Sequence, residues 1–144
     1  MPGGAIAVAS DHAGFDLKEL LKRDLQAAGH EVLDLGTNST VSVDYPDFGK
    51  AMADAIAEGK AGLGVLVCGT GIGISIAANR KVRAALAHNV TSAKFAREHN
   101  DANVVAFGQR LIGPETAREA LKVFLATEFG GGRHIGRVAK LSKG

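Results

Sequence analysis

The chain has 144 residues, 46% hydrophobic and 22% charged, with a formal net charge of +2. That length suits one domain with a proper core, and we read residues 1–144 as a single domain. The small charge excludes nucleic acid or a membrane surface as the main partner, and 5% aromatics with no tryptophan leave no platform for stacking single-stranded bases. One cysteine cannot form an internal disulfide and fits a reducing, cytoplasmic compartment. The start, Met1-Pro2-Gly3-Gly4-Ala5, has neither the basic nor the apolar region of a signal peptide.

Residues 5–9 are a short apolar strand that ends in Ser10-Asp11-His12-Ala13-Gly14. Phe15, Leu17, Leu20, Leu21 and Leu25 then recur at helical spacing, which predicts a helix over 15–28, stopped by Gly29. A second strand spans 31–35 and closes at Gly36. A polar loop containing Asp44-Tyr45-Pro46 leads into a helix over 46–58. The run 63–67 reads as a strand buried on both faces. It meets Cys68 and the turn Gly69-Thr70-Gly71-Ile72-Gly73, after which a helix begins near Ile74. A fourth strand covers 84–87, and a helix over 91–97 ends in Glu98-His99-Asn100-Asp101. A fifth strand at 104–107 leads into Gly108-Gln109-Arg110. The helix at 114–127 is amphipathic, and Gly130-Gly131-Gly132 separates it from a basic tail.

Strands alternating with helices predict a parallel sheet covered on both faces. Ligands bind such sheets beyond the carboxyl ends of the strands. Asp11-His12, Cys68 with its glycines, and Arg110 all follow strands. His99-Asn100 instead precedes a strand, so it belongs to the opposite edge unless its loop bends back or the site is shared between subunits.

Strand, glycine turn and helix start together make an anion site, because the first N–H groups of a helix lack internal partners. A thiol beside a helix N-terminus ionises more readily. A lone cysteine ending an apolar strand is, however, more often a small core residue. The turn is neither a P-loop, lacking Gly-Lys-Ser/Thr, nor a GxGxxG fingerprint. Arg133 and Arg137 share one face of a helical tail and suit a phosphate, or they form a solvated basic face. His12 either contacts ligand or caps the following helix. His99-Asn100-Asp101 is either a site or a helix-terminal turn. Tyr45 lines the pocket or a dimer contact. Thr70 and Ser75 are sugar-hydroxyl partners or helix-start residues. His30, Lys81, Arg83 and His88 are left as structural. No His/Asp/Glu/Cys cluster has metal-ligand spacing, so neither metal nor cofactor is expected.

The ordered set Asp11-His12-Ala13-Gly14, Asp44-Tyr45-Pro46, Cys68-Gly69-Thr70-Gly71-Ile72-Gly73-Ile74-Ser75, Glu98-His99-Asn100-Asp101-Ala102-Asn103, Phe107-Gly108 and Gly131-Gly132-Arg133-His134 resembles the ribose-5-phosphate isomerase B family. That family belongs to a wider group with the galactose-6-phosphate isomerase subunits and allose-6-phosphate isomerase. The resemblance runs from about Ile6 to Val138. It implies a Rossmann-like three-layer α/β/α sandwich with a five-stranded parallel sheet and a C-terminal helical tail. It also implies a homodimer or homotetramer with active sites at the subunit interface, and aldose–ketose isomerisation of a sugar phosphate without a metal. By position, Cys68 matches the proton-abstracting base and His99 the proton donor. Asp11, His12, Gly69, Thr70, Gly71, Ile72, Gly73, Asn100, Arg110, Arg133 and Arg137 match substrate-binding positions. Some members carry a glutamate as base where this chain has Ser75, which aligns the chain with the cysteine branch. The segment 79–83 is about two residues shorter than that branch implies, which bears on one edge of the pocket.

The implied reaction interconverts ribose 5-phosphate and ribulose 5-phosphate, in the non-oxidative pentose phosphate branch, through a cis-enediolate. A base must take a carbon-bound proton, and preorganised donors must meet the charge that develops on oxygen. His99, with Asp11 and Thr70, is the candidate for opening the sugar ring. Two alternatives stand beside this reading: an isomerase of allose or galactose 6-phosphate, and a non-catalytic phosphate- or nucleotide-binding module on the same fold.

Overall fold

A computed structural model describes residues 4–142; Met1 to Gly3, where the start was read above, and the last two residues lie outside them. Five strands, β1 (Ile6–Ser10), β2 (Val32–Asp34), β3 (Leu63–Cys68), β4 (Ala84–Leu86) and β5 (Val104–Gly108), form one sheet in the order β2-β1-β3-β5-β4. Every pairing is parallel. The helices are α1 (Phe15–Ala27), α2 (Tyr45–Ala57), α3 (Ile72–Ala78), α4 (Val90–Glu98), α5 (Pro114–Ala126) and α6 (His134–Leu141).

The three-layer sandwich follows from the period of the strands. Ile6, Val8, Val65, Val67, Val105 and Phe107 point to one face and pack with residues of α1, α4 and α5 such as Leu21, Ala93 and Phe124. Ala7, Ala9, Leu66, Cys68, Val104 and Ala106 point to the other, against Met52 and Ala53 of α2 and Ile74 and Ala78 of α3. All residues of β1, β3 and β5 are buried, which is why these strands read as unbroken apolar runs. The edge strands β2 and β4 have only three residues each, shorter than the sequence predicts. Short edges leave few backbone groups open to a stray strand.

Two boundaries differ from expectation for identifiable reasons. A 3₁₀ turn, His12–Gly14, precedes α1, and the Asp11 carboxylate accepts from the Gly14 N–H at 3.1 Å. Asp11 is therefore the cap, and His12 is not. Helix α3 begins at Ile72, two residues before Ile74, because Gly71 takes a left-handed φ of +76° and turns the chain into the helix at once.

A buried charge network fixes the end of β1. Lys18 on α1, 1% exposed, donates to both carboxylate oxygens of Asp34 at 2.9 and 3.0 Å. Lys22 and the Gly36 N–H donate to the same carboxylate, each at 2.9 Å. Burial alone would raise the Asp34 pKa, but the hydrogen bonds from Lys22, Lys18 and Gly36 prevail and hold it below its ordinary value. Beyond Asp34, Gly36 and Thr37 exchange backbone hydrogen bonds with Ser10 at 2.7 and 2.8 Å. Asp11 is thus held in place through the neighbouring strand. No helix among the described residues is long and apolar enough to cross a membrane.

Candidate active site

The sheet order reverses at β1, with β2 on one side and β3 on the other. That switch opens a crevice at the carboxyl ends of β1 and β3. Asp11 closes one wall; it is buried, and its N–H donates to Val67 O at 3.3 Å. His12 beside it is half-buried and accepts the Val43 N–H on Nδ1 at 3.1 Å, which ties the loop between β2 and α2 to the site.

Cys68 ends β3 with only 4% of its surface exposed. Its sulfur accepts the Gly71 N–H at 3.1 Å. Gly71 is confined as well as left-handed: a Cβ there would lie 2.6 Å from Leu86 Cδ1 and 2.8 Å from the Phe107 carbonyl carbon. Ile72 donates its N–H to Thr70 Oγ1 at 3.1 Å. The N–H groups of Gly69, Thr70, Gly73 and Ile74 have no hydrogen-bond partner among the described residues. One turn therefore carries a buried thiol and several unspent donors, the arrangement an oxyanion requires.

The rim of the crevice is formed by longer side chains. The Arg110 guanidinium lies over Gly69, where an added Cβ would be 3.4 Å from its Nη1. The Tyr45 ring lies against Gly73, leaving no room for a side chain there. Thr70 and Ile72 are exposed at the mouth. Ser75 is different: it is buried, and its hydroxyl donates to Ile72 O at 2.8 Å, which makes it a helix-start residue in this geometry.

His99, Asn100, Arg133 and Arg137 lie at the other edge. His99 caps the C-terminus of α4, and the chain then enters β5 at its amino end, where Asn103 O accepts from Gly64 N and Asn103 N donates to Arg83 O. Between that edge and Cys68 runs the length of β3, roughly 16 Å of strand. Arg133, the N-cap of α6, and Arg137, in its first turn, are exposed and have no ion pair among the described residues. The loop does not bend back, so one chain does not bring His99 to Cys68. The short segment 79–83 is at this edge too, and with Leu141 and Ser142 it lines a basic cleft of about 460 Å³. It borders the tail rather than the chain's own thiol.

Two side chains that bear on His99 escaped the sequence reading. Phe95, one helical turn earlier, stacks on its ring, and His134 stacks on the other side. The spacing of four residues between Phe95 and His99 is a readable helical signal. Only the glycine break before Arg133 hints at the second.

Residues 6–141 match the model of the family described as ribose/galactose isomerase. The chain belongs to that family. Ribose-5-phosphate isomerase B of Escherichia coli (strain K12) is 43% identical over 139 residues, covering 95% of this chain and 93% of that one. The galactose-6-phosphate isomerase subunit LacB of Clostridium acetobutylicum is 42% identical over 126 residues, 86% of this chain and 73% of that one. The solved structure of a ribose 5-phosphate isomerase from Thermotoga maritima superposes with a TM-score of 0.95 at 48% identity, covering 98% of this chain and 99% of that one. As a member of the ribose/galactose isomerase family the protein is a sugar-phosphate isomerase, which removes the non-catalytic binding module from consideration.

Proposed function

We propose that the protein interconverts D-ribose 5-phosphate and D-ribulose 5-phosphate in the non-oxidative pentose phosphate branch, in the cytoplasm, with Cys68 as base. The observation that carries this reading is the Cys68 sulfur, held by the Gly71 N–H in a turn where the N–H groups of Gly69, Thr70 and Gly73 are unspent. The Cys68 thiolate takes the proton from C2 of the open aldose. The electron pair moves into a cis-enediolate, whose negative oxygen meets the unspent donors within Gly69 to Gly73, those of Gly69, Thr70 and Gly73. The proton is then delivered to C1 while the hydroxyl proton passes from O2 to O1, so that C2 becomes the carbonyl of the ketose. Asp11, Thr70 and His99 open the ring, with His12, Tyr45 and Asn100 around the sugar.

His99 and the phosphate-binding Arg133 and Arg137 come, in this proposal, from a second copy of the chain, while Arg110 comes from the first. Both edges carry exposed apolar side chains that a partner would cover: Ile72 and Ile76, 46% and 67% exposed, on α3, and Ile135 and Leu141, 58% and 59% exposed, on α6. A homodimer or homotetramer would then contain complete sites.

The test is isomerisation of ribose 5-phosphate by the wild type and Cys68→Ser, with allose 6-phosphate and galactose 6-phosphate run beside it. Loss of a general base should lower pentose turnover by roughly 10²- to 10⁴-fold while inorganic phosphate still binds. Full activity in Cys68→Ser would remove the thiol from the mechanism. Turnover of a hexose phosphate alone would move the substrate to the second reading, which the likeness to a galactose-6-phosphate isomerase subunit supports.

A further inference from the structure

We infer that His134 is a positioning residue for His99: its ring completes a three-ring stack that fixes the plane of the His99 imidazole and leaves only the ring edge free for proton transfer. The inference rests on the reading of His99 as proton donor.

Phe95 and His99 stack with centroids 4.4 Å apart and planes 11° from parallel. His99 and His134 stack at 4.6 Å and 18°. Both faces of the imidazole are therefore covered. An imidazole gives and takes protons through nitrogens whose hydrogen bonds lie in the ring plane. Covering the faces removes two directions of motion and none of the chemistry. His99 needs such support, because it is the C-cap of α4 and no further turn of helix packs beside it. At the edge, its Nε2 lies 3.6 Å from Glu98 Oε1.

The connection between α5 and α6 delivers the second ring. The Gly130 N–H donates to Glu98 O at 2.9 Å, so the chain passes directly under the end of α4. Gly131 and Gly132 then take φ of +67° and +57°, a pair of left-handed residues that side chains would strain. This turn places His134 at the first position of α6, between Arg133 and the next turn with Arg137. Stacking thus also holds the two arginines at a fixed offset from His99, so that proton donor and phosphate cations move as one unit.

The electrostatics agree with a His134 ring that carries little charge. The groups facing His134 are His99 and Glu98 of α4 and Arg133 and Arg137 of its own segment. Partial burial, then His99, Arg133 and Arg137, lower its pKa, against a smaller pull upward from Glu98. A neutral ring packs on its neighbour without the repulsion of two imidazolium ions.

The experiment compares His134→Ala, which deletes the ring, with His134→Phe, which keeps a stacking ring and removes the titrating nitrogens. His134→Gln is the second ring-free variant should His134→Ala fail to fold. Kinetics with ribose 5-phosphate and thermal unfolding are measured for each, with His99→Ala beside them. Misplacing His99 should lower kcat by roughly ten- to a hundredfold in the ring-free variants, with KM changed by less than about threefold. His134→Phe should restore kcat to within about threefold of wild type. The ring protons of His99 should lose the upfield shift of a stacked ring in His134→Ala and keep it in His134→Phe. Raised KM with unchanged kcat would overturn the inference and make His134 a ligand contact. Equal loss in the Phe and Ala variants would overturn it too, since stacking would then not be what matters. Wild-type turnover in His99→Ala would overturn the reading of His99 itself; an inactive His99→Ala beside a fully active His134→Ala would overturn only the inference.

Discussion

Gly71 and Gly59 share a φ of +76° and differ in what surrounds them, so the pair separates a conformational effect from a packing effect. A Cβ on Gly59 would meet nothing within 4 Å. On Gly71 it would meet Leu86 Cδ1 at 2.6 Å and the Phe107 carbonyl carbon at 2.8 Å. Left-handed backbone with a side chain costs about 1–2 kcal/mol at either site. Overpacking at Gly71 adds about 1–3 kcal/mol, because the Phe107 backbone must give way as well as the Leu86 side-chain tip. Gly59→Ala should therefore lower the melting temperature by about 3–8 °C and Gly71→Ala by roughly 6–20 °C. The two should also part in function. Any shift of residue 71 moves the N–H that is 3.1 Å from the Cys68 sulfur. Losing one preorganised donor lowers kcat by roughly 10²- to 10³-fold, whereas Gly59, at the end of α2, should leave kcat unchanged. Circular dichroism melts and an isomerisation assay well below both transitions read the two effects. Gly71→Ala no less stable than Gly59→Ala, with kcat within about twofold of wild type, would refute the reasoning.

The acid limb of stability should report on Asp34. Its folded pKa is below the ordinary value, so its contribution is present above the unfolded pKa and is lost as pH falls through the folded one. Asp34→Asn should flatten the fall in melting temperature below about pH 5 and, by leaving buried Lys18 with Glu19 as its remaining carboxylate partner, lose about 1–3 kcal/mol at neutral pH; an unchanged slope would remove Asp34 from the acid response. Arg137→Ala should raise KM for the sugar phosphate roughly tenfold or more and weaken inhibition by inorganic phosphate, since a charge-assisted hydrogen bond is lost. An unchanged KM would take Arg137 out of the site.

The layers of this fold were legible because β1, β3 and β5 are buried throughout and helices of regular apolar period lie between them. The sheet order was not, since β5 lies between β3 and β4 and chain order carries no signal of that crossing. Helix α3 was read two residues late because glycines were counted as turn, whereas Gly73 lies within the helix. Lys18 reads as a surface lysine next to the apolar positions Leu17 and Leu21, yet it is 1% exposed. Lysine is rarely buried unless paired; besides its neighbour Glu19, Lys18 pairs with Asp34 on β2, to which no helical spacing points. The Cys68 turn was legible as an anion site from its glycines, but the hydrogen bond of Gly71 to sulfur needs the left-handed backbone to be seen.

The separation of Cys68 from His99 is a consequence of topology. In a parallel sheet every turn from strand to helix lies at the carboxyl edge, and every turn from helix to strand lies at the amino edge. Cys68 begins a turn of the first kind and His99 a turn of the second. No adjustment of a short loop joins them across β3, so a site that uses both requires the carboxyl edge of one copy to face the amino edge of another. Two-fold symmetry then generates two such sites from each pair of chains. Cys68→Ser and His99→Ala, each inactive alone, should complement when unfolded together and refolded. A mixed dimer has one site with both defects and one with none. Random pairing makes about half of the dimers mixed, so the mixture should recover about a quarter of wild-type activity. Recovery near that level would establish that one chain supplies the base and the other the proton donor. No recovery from a mixture shown to contain mixed dimers would mean that each chain works with its own His99, and the shared site would have to be given up.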